Sequence, residues 1–260
     1  MNNKEKRYTL IHYLFGALSA RLGDEMSGQA ILLLGLALTH TVKLGSIALS
    51  ALTLSAAIGG PLLGALLDRS SHPGKILGSA LGLYALGIAG ISLLLASAPI
   101  WIIILIALIS GLFMPAISGG WSSRLKSFIA DGQMPRANAI DAATFNIAGL
   151  AGPAVAGLAT ALLGIHWTIA ILITLLVTAL PMAWSLPPKQ GTDVQSFTTF
   201  SQDILAGFKV IILNRKLLRI TILSTISYMG IGMLWVLYPL VGRRHLVMQA
   251  MGVYLHPSCL

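Results

Sequence analysis

Long apolar runs broken by short polar or basic connections recur along almost the whole chain, over residues 43–67, 76–97, 100–120, 139–164, 167–186 and 217–240. Each comes close to the about 20 residues that an α-helix needs to cross a hydrocarbon layer about 30 Å thick. Helices are the expected form, because lipid offers no partner to open backbone groups. An earlier run, over residues 8–38, is interrupted by Arg21, Asp24 and Glu25, and neither apolar half is long enough to cross alone. The pattern therefore predicts seven spans, the first of which carries its charges within the membrane.

The start of that first run also resembles a secretory signal. Lys4, Lys6 and Arg7 precede apolar residues, and Ala17-Leu18-Ser19 has the small residues of a cleavage site. Continuation past Glu25 argues instead for a retained helix.

Centrally placed charges cost about 2.5–3.5 kcal/mol each on the insertion scale, against a few tenths gained per Leu or Ile. Arg21 lies three residues before Asp24 and four before Glu25, which puts all three on one helical face and allows pairing. Two readings follow: a substrate or proton site facing a water-filled cavity, or a structural ion pair with Arg21 reaching towards one interface. Asp24 is the first candidate for function within the cluster.

Composition agrees with the pattern. The 260 residues are 56% hydrophobic and 10% charged, with a mean hydropathy of +0.84, where a soluble domain carries roughly 25% charged residues. A net charge of +9 raises the question of a nucleic-acid partner. The basic residues, however, sit at the ends of apolar runs rather than among aromatics, so no nucleic acid is expected.

Their distribution sets orientation instead. On the N-terminal side lie Lys4, Lys6 and Arg7; Arg69 and Lys75; Arg124, Lys126 and Arg136; and Lys189, Lys209, Arg215, Lys216 and Arg219. Up to the seventh span the other side has Lys43 alone. The positive-inside rule then places the N-terminus and the basic loops in the cytoplasm of a multi-pass protein of the bacterial inner membrane. Trp101 and Trp167 fall at the outer ends of spans and Trp121 and Trp184 at the inner ends, as interfacial anchors.

Pro187-Pro188 ends the sixth span, and 187–216 reads as a cytoplasmic linker. Within it Phe197, Phe200, Ile204, Phe208 and Ile211 recur at steps of three and four, the pattern of an amphipathic helix on the membrane surface. The expected organisation is a six-helix domain over 1–186, the linker, a seventh helix over 217–240 and a tail over 241–260.

Other classes find little support. No H-E-x-x-H, G-x-S-x-G or Walker loop is present, so no enzyme is expected. His12, His40, His72, His166, His245 and His256 have no ligand spacing, and Cys259 is alone, so no metal site or cofactor is implied. A seven-helix receptor with a retinal Schiff base needs a lysine in the last span, and none lies between Leu217 and Gly242.

The six leading spans divide into two triplets, and the middle span of each carries a Gly-Pro: Gly60-Pro61 and Gly152-Pro153. Matched interruptions of this kind are a feature of transporters built from inverted repeats. At the inner end of the second span, Gly64-x-Leu66-x-Asp68-Arg69, followed by Gly74-Lys75, resembles the signature of the major facilitator superfamily between its second and third helices. Ser70-Ser71-His72-Pro73 lengthens the turn relative to the family form.

Two further stretches are similar to the branch that contains the macrolide-efflux and enterobactin-exporter proteins. One is Arg21-Leu22-Gly23-Asp24; the other is Arg136, Asn138 and Asp141 leading into Asn146 and Gly152-Pro153. The family's antiporter signature, G-x-x-x-G-P-x-x-G-G, is matched at Gly152, Pro153 and Gly157, with Ala148 and Ala156 at other glycine positions.

The resemblance implies an all-α membrane protein, here a six-helix N-terminal half made of two inverted three-helix repeats plus a seventh helix. It implies export of a small organic molecule by proton antiport through alternating access. In that reading Asp24 or Glu25 carries the proton, Arg21 pairs with them, and Gly64, Asp68 and Arg69 latch the inner gate. The family pairs two six-helix halves, so the lipid bilayer, the substrate and protons are the expected partners, together with a missing C-terminal half or an oligomeric partner. Arg243-Arg244-His245 falls on the outer side, against the charge rule, and residues 256–260 have no family character. The reading frame is accordingly expected to be truncated or frameshifted after the seventh span, with a non-transporting fragment as the alternative.

Overall fold

The computed structural model describes residues 3–125, 129, 131–186, 205 and 209–250, with side chains for these except 3–11, 131 and 235–250. The chain divides into two units, Met1–Ile204 and Leu205–Leu260. Every regular element among the described residues is helical, so this is an all-α membrane protein.

The first unit opens with α1 (Asn3–Thr39), α2 (Lys43–Arg69), α3 (Pro73–Leu94) and α4 (Ile100–Gly111). A turn and a π-helical segment, Ala116–Gly120, join α4 to the short α5 (Trp121–Arg124), and together they make one apolar crossing, Ile100–Arg124. Two further helices, α6 (Met134–Leu163) and α7 (Ile165–Trp184), complete the unit. The second unit contains α8 (Arg215–Ala250).

Among the described residues, six helices are long and apolar enough to cross a membrane: α2, α3, Ile100–Arg124, α6, α7 and Arg215–Leu234 of α8. The first helix is not among them, since Arg21, Asp24 and Glu25 occupy its middle turns. At 37 residues and 1.5 Å per residue it is about 55 Å long, well beyond the hydrocarbon thickness. Ala17 and Ser19, the small residues of the cleavage-like stretch, are buried inside this continuous helix.

Packing order shows a partial internal symmetry, in which the α1–α2 contact has no α4–α6 counterpart of similar extent among the described residues. Helix α1 lies against α7, α6 and α2; α3 lies against α7 and α4; and α2 lies against α4. Exchanging the first three spans for the second three turns the α1–α6 contact into α4–α2, α1–α7 into α4–α3, and α2–α3 into α6–α7. All of these contacts exist. That is the pattern two three-helix repeats produce when each hands its helices into the other.

Small residues allow the close crossings. A Cβ at Gly111 would run into the Leu52 carbonyl, and one at Gly59 into the backbone of Leu112, so α2 and α4 meet backbone to backbone. At Gly64, the glycine of the signature stretch in the same helix, a Cβ meets nothing within 4 Å. The signature glycine sits more than a turn beyond the crossing and is half-buried. One residue, Gly164, joins α6 to α7 at φ 88°, a left-handed conformation that side chains resist.

Large apolar side chains cover the outside: Leu54 is 69% exposed, Leu93 80% and Leu150 81%. Water does not tolerate an apolar surface of that extent, whereas lipid is its natural solvent. Trp101, Trp167 and Trp184 are exposed at helix ends, where interfacial anchors belong. Trp121 departs from that expectation. It is completely buried, edge-on to the Tyr13 ring at 5.6 Å between centroids, directly after the π-helical segment.

The lengthened turn is shorter than the sequence suggests. Pro73 takes the first position of α3, where its missing N–H has no partner to lose, so Gly74 and Lys75 are already helical. Of the amphipathic stretch in the linker, Phe197, Phe200, Ile204 and Phe208 lie outside the described residues, and Ile211 falls in a helical stretch over 209–213.

Candidate functional site

The charge-bearing middle of α1 is held tightly between α7 and α6. A Cβ at Gly23 would stand 2.9 Å from the Leu176 side chain and 3.2 Å from the Leu172 carbonyl of α7. From α6, Gly152 abuts the next turn, where a Cβ would come within 2.5 Å of Glu25 Cβ and 3.2 Å of the Met26 amide nitrogen. Of the three ionisable residues here, Arg21 is buried and Asp24 and Glu25 are half-buried.

They do not pair with one another. Arg21, 2% exposed, places Nη1 2.8 Å from Asp141 Oδ1 and 3.1 Å from the Asp141 carbonyl, and donates also to Thr144 Oγ1. Its Nη2 donates to Ser122 Oγ at 3.0 Å. The guanidinium lies 3.6 Å from the centre of the Phe145 ring. This corrects the expectation that Arg21 pairs with Asp24 or Glu25. Helical side chains tilt towards the N-terminus, so an Arg that precedes acidic residues on its own helix leans away from them. Asp141, one helix across, lies where Arg21 points.

Asp141 is saturated in turn. Besides Arg21, Oδ1 accepts from Tyr13 at 3.1 Å, and Oδ2 accepts from Ser122 at 2.6 Å. Tyr13 also reaches the Trp121 carbonyl at 2.9 Å. The cluster ties α1, α5 and α6 together around a buried pair of opposite charges. Such a pair depends on its remaining hydrogen-bonding capacity being filled; here Arg21 Nε is enclosed without a partner among the described residues.

Asp24 and Glu25 are left with no cation as a direct partner among the described residues. Asp24 faces α3, where Tyr84 donates to Oδ1 at 2.7 Å. Ser27 lies 2.9 Å from the Tyr84 hydroxyl and donates to the Asp24 carbonyl at 2.6 Å. Glu25 faces Gly152, and its Oε2 is enclosed with no hydrogen-bond partner. Arg21 is thus held by Asp141, whereas the Asp24 carboxyl meets the Tyr84 hydroxyl and Glu25 Oε2 meets no hydrogen-bond partner among the described residues.

The inner-gate residues occupy the α2–α3 corner. Asp68, Arg69 and Lys75 are exposed, as is Leu66. Gly74 packs on α7, a Cβ there falling 2.6 Å from the Ala183 carbonyl. Asp68 acts electrostatically on the buried Arg124 at the end of α5. Of the span 5 residues only Asp141 joins the charge network. Arg136, Asn138 and Asn146 are exposed on α6, Asn146 donating to the Ala142 carbonyl at 3.1 Å, while Pro153 is half-buried and Gly157 faces open space.

Sequence reasoning did not find Tyr13, Tyr84, Ser27, Ser122 or Thr144 as partners. Their signal was the presence of hydroxyls inside apolar runs, which membrane helices place towards the bundle interior. Residues 13–260 match the model of the Major Facilitator Superfamily. No curated protein and no solved structure gives a significant match.

Proposed function

The chain belongs to the Major Facilitator Superfamily, and on that premise we propose that it exports a small organic molecule from the cytoplasm in exchange for protons. The observation that carries this reading is the division of the α1 charges. Arg21 is neutralised by Asp141, while Asp24 and Glu25 stay inside the bundle without a cation as a direct partner. Intramembrane carboxyls in that position mark proton and substrate pathways.

In this account Asp24 and Glu25 alternate between neutral and ionised forms as they meet the two sides of the membrane. Arg21 stays with Asp141, and the pair holds α1 on α6 so that the carboxyls keep their place. The α2–α3 corner, with Gly64, Asp68 and Arg69, latches the cytoplasmic gate through Arg124. The unit described here works against a second half, supplied by further chain or by another copy, and the N-terminus is cytoplasmic.

The test is efflux from cells expressing the 260-residue chain beside a version extended through the downstream frame, with membrane levels of both quantified. The panel includes a macrolide and a catecholate siderophore, cargo of the branch the chain resembles. Export by either form supports the reading. No export of any compound by either form, at equal membrane levels, overturns it.

A further inference from the structure

We infer that Tyr84 and Ser27 form a hydroxyl chain that keeps the Asp24 carboxyl hydrogen-bonded, and so fixed in place, whether it is ionised or protonated. The inference rests on the reading above in which Asp24 gains and loses a proton. It assigns positioning roles to two residues that neither touch a substrate nor change charge themselves.

The geometry is a closed loop of short links. Tyr84 Oη lies 2.7 Å from Asp24 Oδ1, Ser27 Oγ lies 2.9 Å from Tyr84 Oη, and Ser27 Oγ lies 2.6 Å from the Asp24 carbonyl oxygen. Tyr84 and Ser27 are buried, at 1% and 3% exposed, so direct bonds must satisfy them.

A hydroxyl both donates and accepts, and the loop therefore works in two directions. With Asp24 ionised, Tyr84 donates to Oδ1, and Ser27 donates to the Asp24 carbonyl. With Asp24 protonated, the new carboxyl hydrogen donates to Tyr84 Oη. The Tyr84 hydrogen swings to Ser27 Oγ, and the Ser27 hydrogen stays on the Asp24 carbonyl. Three hydrogens then meet three acceptors. The two states differ by the proton itself and by rotation of the Tyr84 hydroxyl; with Asp24 ionised two hydrogens serve Oδ1 and the Asp24 carbonyl, and the Ser27–Tyr84 link carries none.

Ordinary partners fail this requirement. An arginine only donates and a backbone carbonyl only accepts, so each suits one protonation state and leaves an unmet group in the other, at a cost of about 1–3 kcal/mol. The titratable groups that act on Asp24 are Tyr84 from α3 and Glu25 from its own helix. Arg21 is turned to Asp141, and among the described residues α2, α6 and α7 bring no further charge to bear on Asp24.

The experiment is infrared difference spectroscopy between acid and alkaline pH on the full chain in lipid vesicles, without substrate. Wild type is compared with Asp24→Asn, Tyr84→Phe and Ser27→Ala. The expected wild-type spectrum has a carboxylic C=O band that Asp24→Asn removes. It also has a tyrosine C–O–H band that changes over the same pH interval and is silent in Asp24→Asn. Tyr84→Phe removes the tyrosine band and moves the carboxyl band to higher wavenumber, because the acid has lost its acceptor; Ser27→Ala moves the tyrosine band. If Tyr84→Phe does not fold, the wild-type tyrosine band read against Asp24→Asn, together with Ser27→Ala, decides the matter.

A carboxyl band lost in Asp24→Asn, with no tyrosine band following it and no movement in Tyr84→Phe, overturns the hydroxyl chain and leaves the proton reading standing. The lack of any band removed by Asp24→Asn overturns both.

Discussion

Arg21 Nη1 stands 2.8 Å from Asp141 Oδ1, joining helices whose residues are 120 positions apart in the chain. The ion pair is buried on both sides, and its hydroxyl ligands come from α1, α5 and α6. It therefore holds together the segment from which Asp24 and Glu25 project.

Removal of one partner alone leaves the other charged and enclosed. Arg21→Met or Asp141→Leu is expected to destabilise the fold by about 3–5 kcal/mol. The double variant recovers much of that loss, because no unpaired charge remains. Denaturant unfolding of the purified protein in detergent, arranged as a double-mutant cycle, measures the coupling.

The glycines of α6 separate packing from mere helix composition. Gly152→Val pushes α1 away from α6 at Glu25 and Met26, a change expected to cost about 1–3 kcal/mol. Gly157→Ala fills open space and is expected to stay within about 0.5 kcal/mol of wild type or to gain a little. Thermal unfolding of both variants in the same detergent gives the comparison.

Two tryptophans at opposite ends of one crossing should also behave differently. Trp121 is wholly enclosed and Trp101 is 63% exposed. Trp121→Ala is expected to cost about 3–5 kcal/mol, as large core truncations do, and Trp101→Ala less than about 1 kcal/mol. Unfolding midpoints check the contrast.

The apolar runs at 43–67, 76–97 and 167–186 were readable because hydropathy and length alone fix a crossing helix, and α2, α3 and α7 follow them closely. What could not be read was direction around the helix axis. Trp121 and Trp184 were both expected at inner ends, yet the first, which follows a π-helical segment, is buried while the second is exposed, a difference that composition does not encode. Gly59 and Gly64 are equally small, and only the crossing point of α2 with α4 decides which one matters. Arg21 showed the same limit. Its spacing to Asp24 and Glu25 allowed a local pair, and only the placement of α6 reveals that its side chain leans the other way, towards Asp141.

The proton role of the α1 carboxyls is the central claim, and efflux from cells producing the longest form of the protein tests it most directly. Wild type is compared with the Asp24→Asn/Glu25→Gln double variant at matched membrane levels, with and without a protonophore. The account predicts wild-type export that collapses on addition of the protonophore, and no export by the double variant under either condition. Protonophore-sensitive export by the double variant at the wild-type rate would contradict it.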